Sequence, residues 1–361
     1  MAVFPSGTNT YIPSFDATGE LIVSFSRNPK SFALNRYTTI TPVKKSTGYY
    51  LKLTAEQAAR ISNDNLNDYV WPDGNDAATG EHNKESFVFS SYQTERFNFA
   101  FRLGYKAVDQ ADWKLIAQHS AIVAQQAMTA RTLRVSTAIE DATNWPVGQT
   151  FANGGAALTA LGVAGGTAST TSGLLGLARG TANNPVLKKF LNAAGILINK
   201  KTLGSVPPKD LQVVISPSVA QVLAVSEEIQ DYLKQSPFAL NQVRGDTASQ
   251  NGLYGLPDQL YGYNIVIEDA VRIKEKKRVD AQPDYIWGNT LAILARPGKL
   301  VGFEGAPSFS ALHLMMYEEM TVEQRDDPDN RRISARVVED YGVEVVAPVA
   351  GFIVKSCLAN A

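Results

Sequence analysis

Several groups of side chains in this sequence have chemistry available to them. Asp64, Asp68, Asp73 and Asp76 share one short polar stretch, and hard oxygen ligands clustered on a loop are what calcium takes. Their spacing is not that of an EF-hand, and Asn63, Asn65, Asn67, Pro72 and Gly74 among them favour a solvated turn. The doublets Glu318 and Glu319, Asp326 and Asp327, and Arg331 and Arg332 offer paired acids and bases. On strands and turns they read more simply as ion-pair partners across an interface. Lys274 to Arg278 is a basic run with charge enough for a phosphate, but runs this short are usually solvated loops. His82, His119 and His313 lie far apart, and none sits in a metal-ligand pair. The single cysteine, Cys357, reads as a small buried hydrophobe. It removes intramolecular disulfides and multi-cysteine metal sites, which suits a reducing compartment.

No motif completes any of these groups into a catalytic or cofactor site. There is no Gly-x-Ser-x-Gly elbow and no Gly-x-Gly-x-x-Gly turn. Gly298-Lys299 is followed by Leu300 and has no glycine five positions before Gly298, so a phosphate-cradling loop fails. The expectation is a protein with no catalytic residues, no cofactor and no metal.

The elements that must position these side chains follow from periodicity and punctuation. Residues 1 to about 35 are rich in Pro, Gly, Ser, Asn and Thr, with one apolar burst at Leu21–Val23 and Phe25; this predicts an extended arm too polar to fold alone. Alternation through Tyr37, Thr39 and Thr41 resumes after Gly48 at Tyr49, Leu51 and Leu53, and a second run continues from Phe87 through Phe101. The turn-forming stretch Ile61–Lys84 lies between them. The spacing therefore predicts a projecting hairpin over Gly48–Phe101, and a two-stranded hairpin is marginal alone in water. Tyr105–Trp145 contains no Gly or Pro and predicts a long helix from about Asp109 to Ala142, with β-branched residues weakening Thr132–Ile139. The uncharged run between Asp141 and Arg179 reads as irregular. A helix follows Asn183-Asn184-Pro185 to about Lys200, with Gly204 after its end. Leu211–Ile215 reads as a buried strand, and Ser216-Pro217 as the cap and first turn of a helix running to Leu233. Tyr263–Ile267 and Tyr285–Leu294 read as strands of an α/β unit. Ser308–Gln324 and Arg332–Val346 form a strand pair around a polar turn, and Ala350–Leu358 is a last strand.

Composition narrows the function classes. With 361 residues, 44% hydrophobic and 19% charged, the chain is long enough to bury about three quarters of its unfolded surface in a large core. Thirty-four basic against 35 acidic side chains give a net charge of -1, which disfavours a dedicated nucleic-acid reader. The first residues carry no basic and apolar leader pattern, so export is not expected, and no run is apolar enough for a membrane span.

In the order arm, projecting hairpin, long helix, α/β unit and returning strands, the chain resembles the major capsid proteins of tailed bacteriophages, the Hong Kong 97-type shell fold. Phe97–Ala107 leading into the helix with Trp113, Leu211–Ser218 opening the next helix, and Tyr261–Asp269 carry the likeness over nearly the whole chain. The resemblance implies an α+β fold with an N-terminal arm (1–47) and an extended β-hairpin or E-loop (48–104). A peripheral domain with spine helix and antiparallel sheet (105–204 and 301–345) and an α/β axial domain (205–300 and 346–361) complete it. It further implies self-assembly as hexamers and pentamers into an icosahedral head, with a portal, a decoration protein and non-specifically contacted double-stranded DNA as partners. The subunit would be made in the bacterial cytoplasm and end in the virion. Some members carry a scaffolding segment before the arm; here the arm starts at Met1, so a separate scaffolding protein is expected. Others cross-link a lysine to an asparagine, a pair that this sequence does not identify. Candidate inter-subunit contacts are Tyr49, Tyr50, Trp71, Phe87 and Phe89 on the hairpin, with Asp326, Asp327, Arg331 and Arg332 on the late turn. Two other readings stand beside this one: an encapsulin-type nanocompartment, and a cytosolic α/β enzyme with a pocket of converging titratable groups.

Overall fold

The computed structural model describes residues 27–52, 88–111, 115–163, 176–181, 183–275, 280–298 and 310–359. In chain order its elements are α1 (Leu34–Tyr37), β1 (Thr39–Pro42), β2 (Thr47–Lys52), β3 (Val88–Gln93), β4 (Glu95–Gly104), α2 (Tyr105–Asp109) and α3 (Leu115–Glu140). There follow β5 (Thr150–Phe151), α4 (Gly154–Ala160), α5 (Val186–Lys201), β6 (Leu211–Ile215), α6 (Pro217–Val225), α7 (Glu227–Gln235) and α8 (Pro237–Arg244). The rest are β7 (Gln259–Leu260), β8 (Tyr263–Ile267), β9 (Val271–Ile273), β10 (Pro283–Tyr285), β11 (Leu291–Ala295), β12 (Leu312–Asp327), β13 (Arg332–Val345) and β14 (Gly351–Val354).

Two sheets organise these elements. A mixed sheet has the order β5-β14-β11-β6-β8-β7. Every residue of β6, β11 and β14 is buried, Gln212 of β6 included, so these predominantly apolar strands are covered on both faces. The second sheet, β1-β12-β13-β4, starts in that core and leaves it. Leu312–Met316 are all buried, whereas from Tyr317 onward β12 is largely exposed. The change follows its composition, from Leu-His-Leu-Met-Met to Tyr-Glu-Glu-Met-Thr-Val-Glu. β12 and β13 then continue with β4 as an antiparallel ribbon.

Helix α3 lies along the inner face of that ribbon. Val123, Ala127, Arg131, Val135 and Ile139 recur every four residues and are buried. At 26 residues it is about 39 Å long. The β-branched stretch Thr132–Ile139 stays helical because Val135 and Ile139 are fully buried, each worth roughly 1.5–3 kcal/mol against a propensity cost of a few tenths. Thr132 and Thr137 also return their hydroxyls to the Met128 and Leu133 carbonyls at 2.9 Å. The helix does not begin as early as Asp109: α2 ends there, with Gln110 as its C-cap. Trp113 lies outside the described residues.

Three other expectations change. The alternating run from Phe87 to Phe101 is two strands divided at Thr94: β3 pairs with β2 in a hairpin, while β4 joins the large ribbon beside β13. At the crossing a Cβ on Gly342 would overlap the Gln93 carbonyl oxygen, so only glycine lets the chain pass this closely over β13. The helix expected from Pro217 to Leu233 breaks at Ser226, whose hydroxyl donates to the Leu223 carbonyl at 2.7 Å. Tyr285–Leu294 is likewise not one strand; β10 pairs with β9 in a separate small ribbon, and β11 enters the core sheet. Ser216 and Pro217 cap α6 as their spacing predicts, and the irregular run after Asp141 includes α4, with 164–175 outside the described residues.

Candidate functional site

Among the described residues, the candidate contact side chains lie on the β2–β3 hairpin and at the turn of the β12–β13 ribbon. In the hairpin, Tyr49 stands opposite Ser91 and Leu51 opposite Phe89, which puts Tyr49 and Phe89 on one face. Both are strongly exposed, at 77% and 65%. Tyr50 points to the other face, half-buried, and burial beside Glu344 pushes its hydroxyl pKa up. On that face Gly48 leaves room for the Tyr92 ring opposite it. Thr94 N–H donates to the Ser46 carbonyl at 2.8 Å and closes the base. Trp71, Phe87 and the carboxylates Asp64–Asp76 lie outside the described residues.

The late doublets meet at the turn between β12 and β13. Asp327 accepts from Arg332 at 2.8 Å and from the Asn330 amide, and these bonds, Asn330 first, hold its carboxyl below the usual range. The register makes this pair internal to one chain. Asp326 accepts the Tyr105 hydroxyl, which pushes that phenol up to about 12. Arg331 holds φ at +47°, and its carbonyl accepts from Tyr105 N–H at 3.0 Å. These contacts lock α2 onto the turn. Further along, Arg96 bridges Glu318 and Asp340 at 3.6 Å each.

Two buried polar contacts had no sequence signal. Arg131 on α3 pairs with Glu339 on β13, both almost wholly buried; Arg134, over the Phe97 ring, holds Glu95 at 2.9 Å. Burial pushes the Glu339 carboxyl up despite Arg131. At the root of the arm, the buried Tyr37 hydroxyl donates to Glu268 at 3.0 Å, and Ala270 N–H donates to the same carboxylate at 3.2 Å. Desolvation raises Glu268 to about 7. Arg27 reaches the adjacent Asp269 at 2.6 Å.

The groups weighed for catalysis are dispersed. His119 returns Nδ1 to the Leu115 carbonyl and packs on Phe101, while His313 pairs with Thr41 at 2.9 Å. The Cys357 thiol is fully buried and pushed up to about 12. Lys274 pairs with Asp284 at 2.9 Å on the small ribbon, and Lys276–Arg278 lie outside the described residues. Among the described residues no three His, Cys, Asp or Glu side chains gather as metal ligands, and no helix is long and apolar enough to cross a membrane.

No family model matches this chain, and no curated protein does. Solved structures match it nearly end to end. A phage-related protein from Bordetella bronchiseptica RB50 is 13% identical with a TM-score of 0.59, covering 92% of this chain and 93% of its own. The capsid of cyanophage P-SCSP1u is 12% identical at 0.55, covering 100% and 97%. A chain of Mycobacterium phage Che8 is 14% identical at 0.54, covering 97% and 99%. The likeness is one of fold: this chain has the α+β Hong Kong 97-type fold of tailed-phage major capsid proteins.

Proposed function

We propose that this chain is a major capsid protein, assembling as hexamers and pentamers into the icosahedral head of a tailed bacteriophage around double-stranded DNA. The observation that supports this best is the reciprocal, nearly complete fold match to the capsid chains of cyanophage P-SCSP1u and bacteriophage PhiM1. The hairpin agrees with it. A two-stranded ribbon is marginal alone, and one face of β2–β3 presents two large aromatics to water; in a shell that face lies on a neighbouring subunit. One subunit type can make sixfold and fivefold contacts with small adjustments of such interlocks. The near-neutral charge suits loose contact with packaged DNA, since a strongly basic lumen would bind it tightly. On this reading the protein is structural, not catalytic. It is made in the host cytoplasm with a separate scaffolding protein, and meets a portal and a decoration protein.

The test is negative-stain electron microscopy with light scattering, on the protein expressed alone and together with the products of its neighbouring genes. Closed particles, tubes or hexamer-sized rings are expected. A protein that remains monomeric in both preparations would overturn the reading.

A further inference from the structure

Helix α5 turns a lysine face to water. Lys188, Asn192, Ile196 and Lys200 recur every four residues along its exposed side, with Lys189 beside the first and Lys201 next to the last. The opposite side, with Leu187, Phe190, Leu191, Ala194 and Ile198, fills the core. At 1.5 Å per residue the two lysine pairs stand about 18 Å apart. The helix contains no acidic side chain, and none of its lysines makes an ion pair among the described residues. Lys189 reaches the Asn184 side-chain oxygen at 2.7 Å, and Lys188 lies over the Tyr261 ring at 5.8 Å.

The neighbouring elements strengthen the charge. Lys209 lies on the turn Pro208–Asp210 packed against α5, and Arg296 N–H donates to the Asp210 carbonyl at 2.8 Å. The carboxylates close to this surface are Asp210, Asp231 beside Tyr261, and the buried Glu228, which already accepts from Leu187 and Lys188 N–H. Six cations against these three carboxylates leave a surplus of three positive charges. The helix does not need all of its lysines there. Lys200 and Lys201 complement the C-terminal end of the helix dipole, but Lys188 and Lys189 stand in the first turn, where a cation opposes it.

The composition of the face selects its occupant. Protein–protein interfaces are depleted in lysine and anchored by Trp, Tyr and Arg, and α5 has none of those three. A phosphate backbone is met by point charges without regard to base sequence, which is what lysine supplies. The Asn192 amide adds a donor between the lysine pairs.

We propose that the lysine face of α5 meets the phosphate backbone of packaged double-stranded DNA and is therefore turned to the inside of the shell. The inference rests on the capsid reading, and it names the surface through which the loose contact with DNA is made. Four neutralised phosphates give log K a slope of about -3.6 against log salt, so the contact is readily broken.

The experiment measures binding of a short fluorescent duplex to dispersed subunits, by anisotropy over a salt series. Lys188→Gln, Lys189→Gln, Lys200→Gln and Lys201→Gln together should reduce the slope by about 3.6 with an unchanged thermal midpoint. If the midpoint falls, Lys188→Gln with Lys189→Gln is read in its place, with a reduction of about 1.8. Lys30→Gln, Lys44→Gln, Lys106→Gln and Lys234→Gln, exposed lysines elsewhere, should change the slope by less than about one. Equal reductions in the two sets overturn the proposal, because total charge and not this face would then decide. Closed particles of the original protein, given the duplex from outside, should bind at least tenfold more weakly per chain than dispersed subunits; equal binding overturns the inward placement and the proposal with it. An unchanged slope in an α5 variant that no longer forms particles overturns it in favour of a protein partner. In all these outcomes particles of the original protein uphold the capsid reading, and their absence overturns that reading whatever the slope.

Discussion

Glu268 couples the root of the N-terminal arm to pH. Its side chain is fully buried, held by the Tyr37 hydroxyl and Ala270 N–H, and burial raises its pKa from 4.5 to about 7. The native state therefore binds this proton more tightly than the unfolded chain does. Stability is unaffected below the unfolded value and falls as pH rises from about 4.5 towards 7, with the full penalty above that. A shift of this size corresponds to about 3 kcal/mol. Asp269 adds to the shift and Arg27 opposes it, both as smaller contributions. Glu268→Gln removes the ionisation but leaves the amide able to satisfy only one of the two donors, at a cost of about 1 kcal/mol. At pH 5 the original already carries about 1 kcal/mol of that penalty, so the two proteins should be about equally stable there, and the variant should be the more stable one at pH 8 by about 2 kcal/mol. The assay is urea unfolding of dispersed subunits from pH 5 to 8. Tryptophan fluorescence reports it locally, because Trp287 lies edge-on to Tyr37 at 5.8 Å. Parallel pH profiles for the two proteins would refute the reasoning.

Other substitutions test the remaining joints. Gly342→Ala forces a methyl onto the Gln93 carbonyl and should cost about 1–3 kcal/mol, read as a lower thermal midpoint. Glu339→Gln strands the buried Arg131 charge and should cost about 3–5 kcal/mol, whereas Arg131→Met with Glu339→Leu should recover most of it in a double-mutant cycle. Glu228 reaches from α7 to cap α5, accepting from Leu187 and Lys188 N–H at 2.9 and 2.8 Å. Its replacement by Ala should cost about 1–3 kcal/mol by urea denaturation.

What the sequence made legible was local. Ser216 and Pro217 sit within one turn of the helix that they start, and β6 and β8 are short runs with one polar residue each, Gln212 and Asn264, among apolar side chains that the sheet buries. The split at Thr94 was invisible, since β3 and β4 share one alternating pattern and only the distant Gly342 explains where the chain crosses. The cap on α5 comes from 40 residues away in Glu228 and not from the local Asn-Asn-Pro signal. Arg131 and Glu339 are 208 residues apart, and nothing near either one forecasts their pairing. The doublets near residue 330 were picked out for their charge, but only the strand register reveals that Asp327 and Arg332 face each other in one chain.

The proposed assembly also requires that the ribbon not pair indiscriminately beforehand. Beyond Met316, where pairing with β1 ends, β12 pairs among the described residues only with β13, and β4 lies on the far side of the same strand. Two open strand edges of about ten residues would ordinarily invite indiscriminate pairing. Here Glu318, Glu319, Glu323 and Arg325 charge one edge, and Arg96 and Arg102 the other. The aromatic side of β4, Phe97, Phe99 and Phe101, is turned towards α3. The hairpin is built the other way, with Tyr49 and Phe89 in water. A partner must therefore offer apolar cover for the hairpin and matching charge for the ribbon at once. On the proposed reading, another copy of this chain held in one register is the surface that meets both demands.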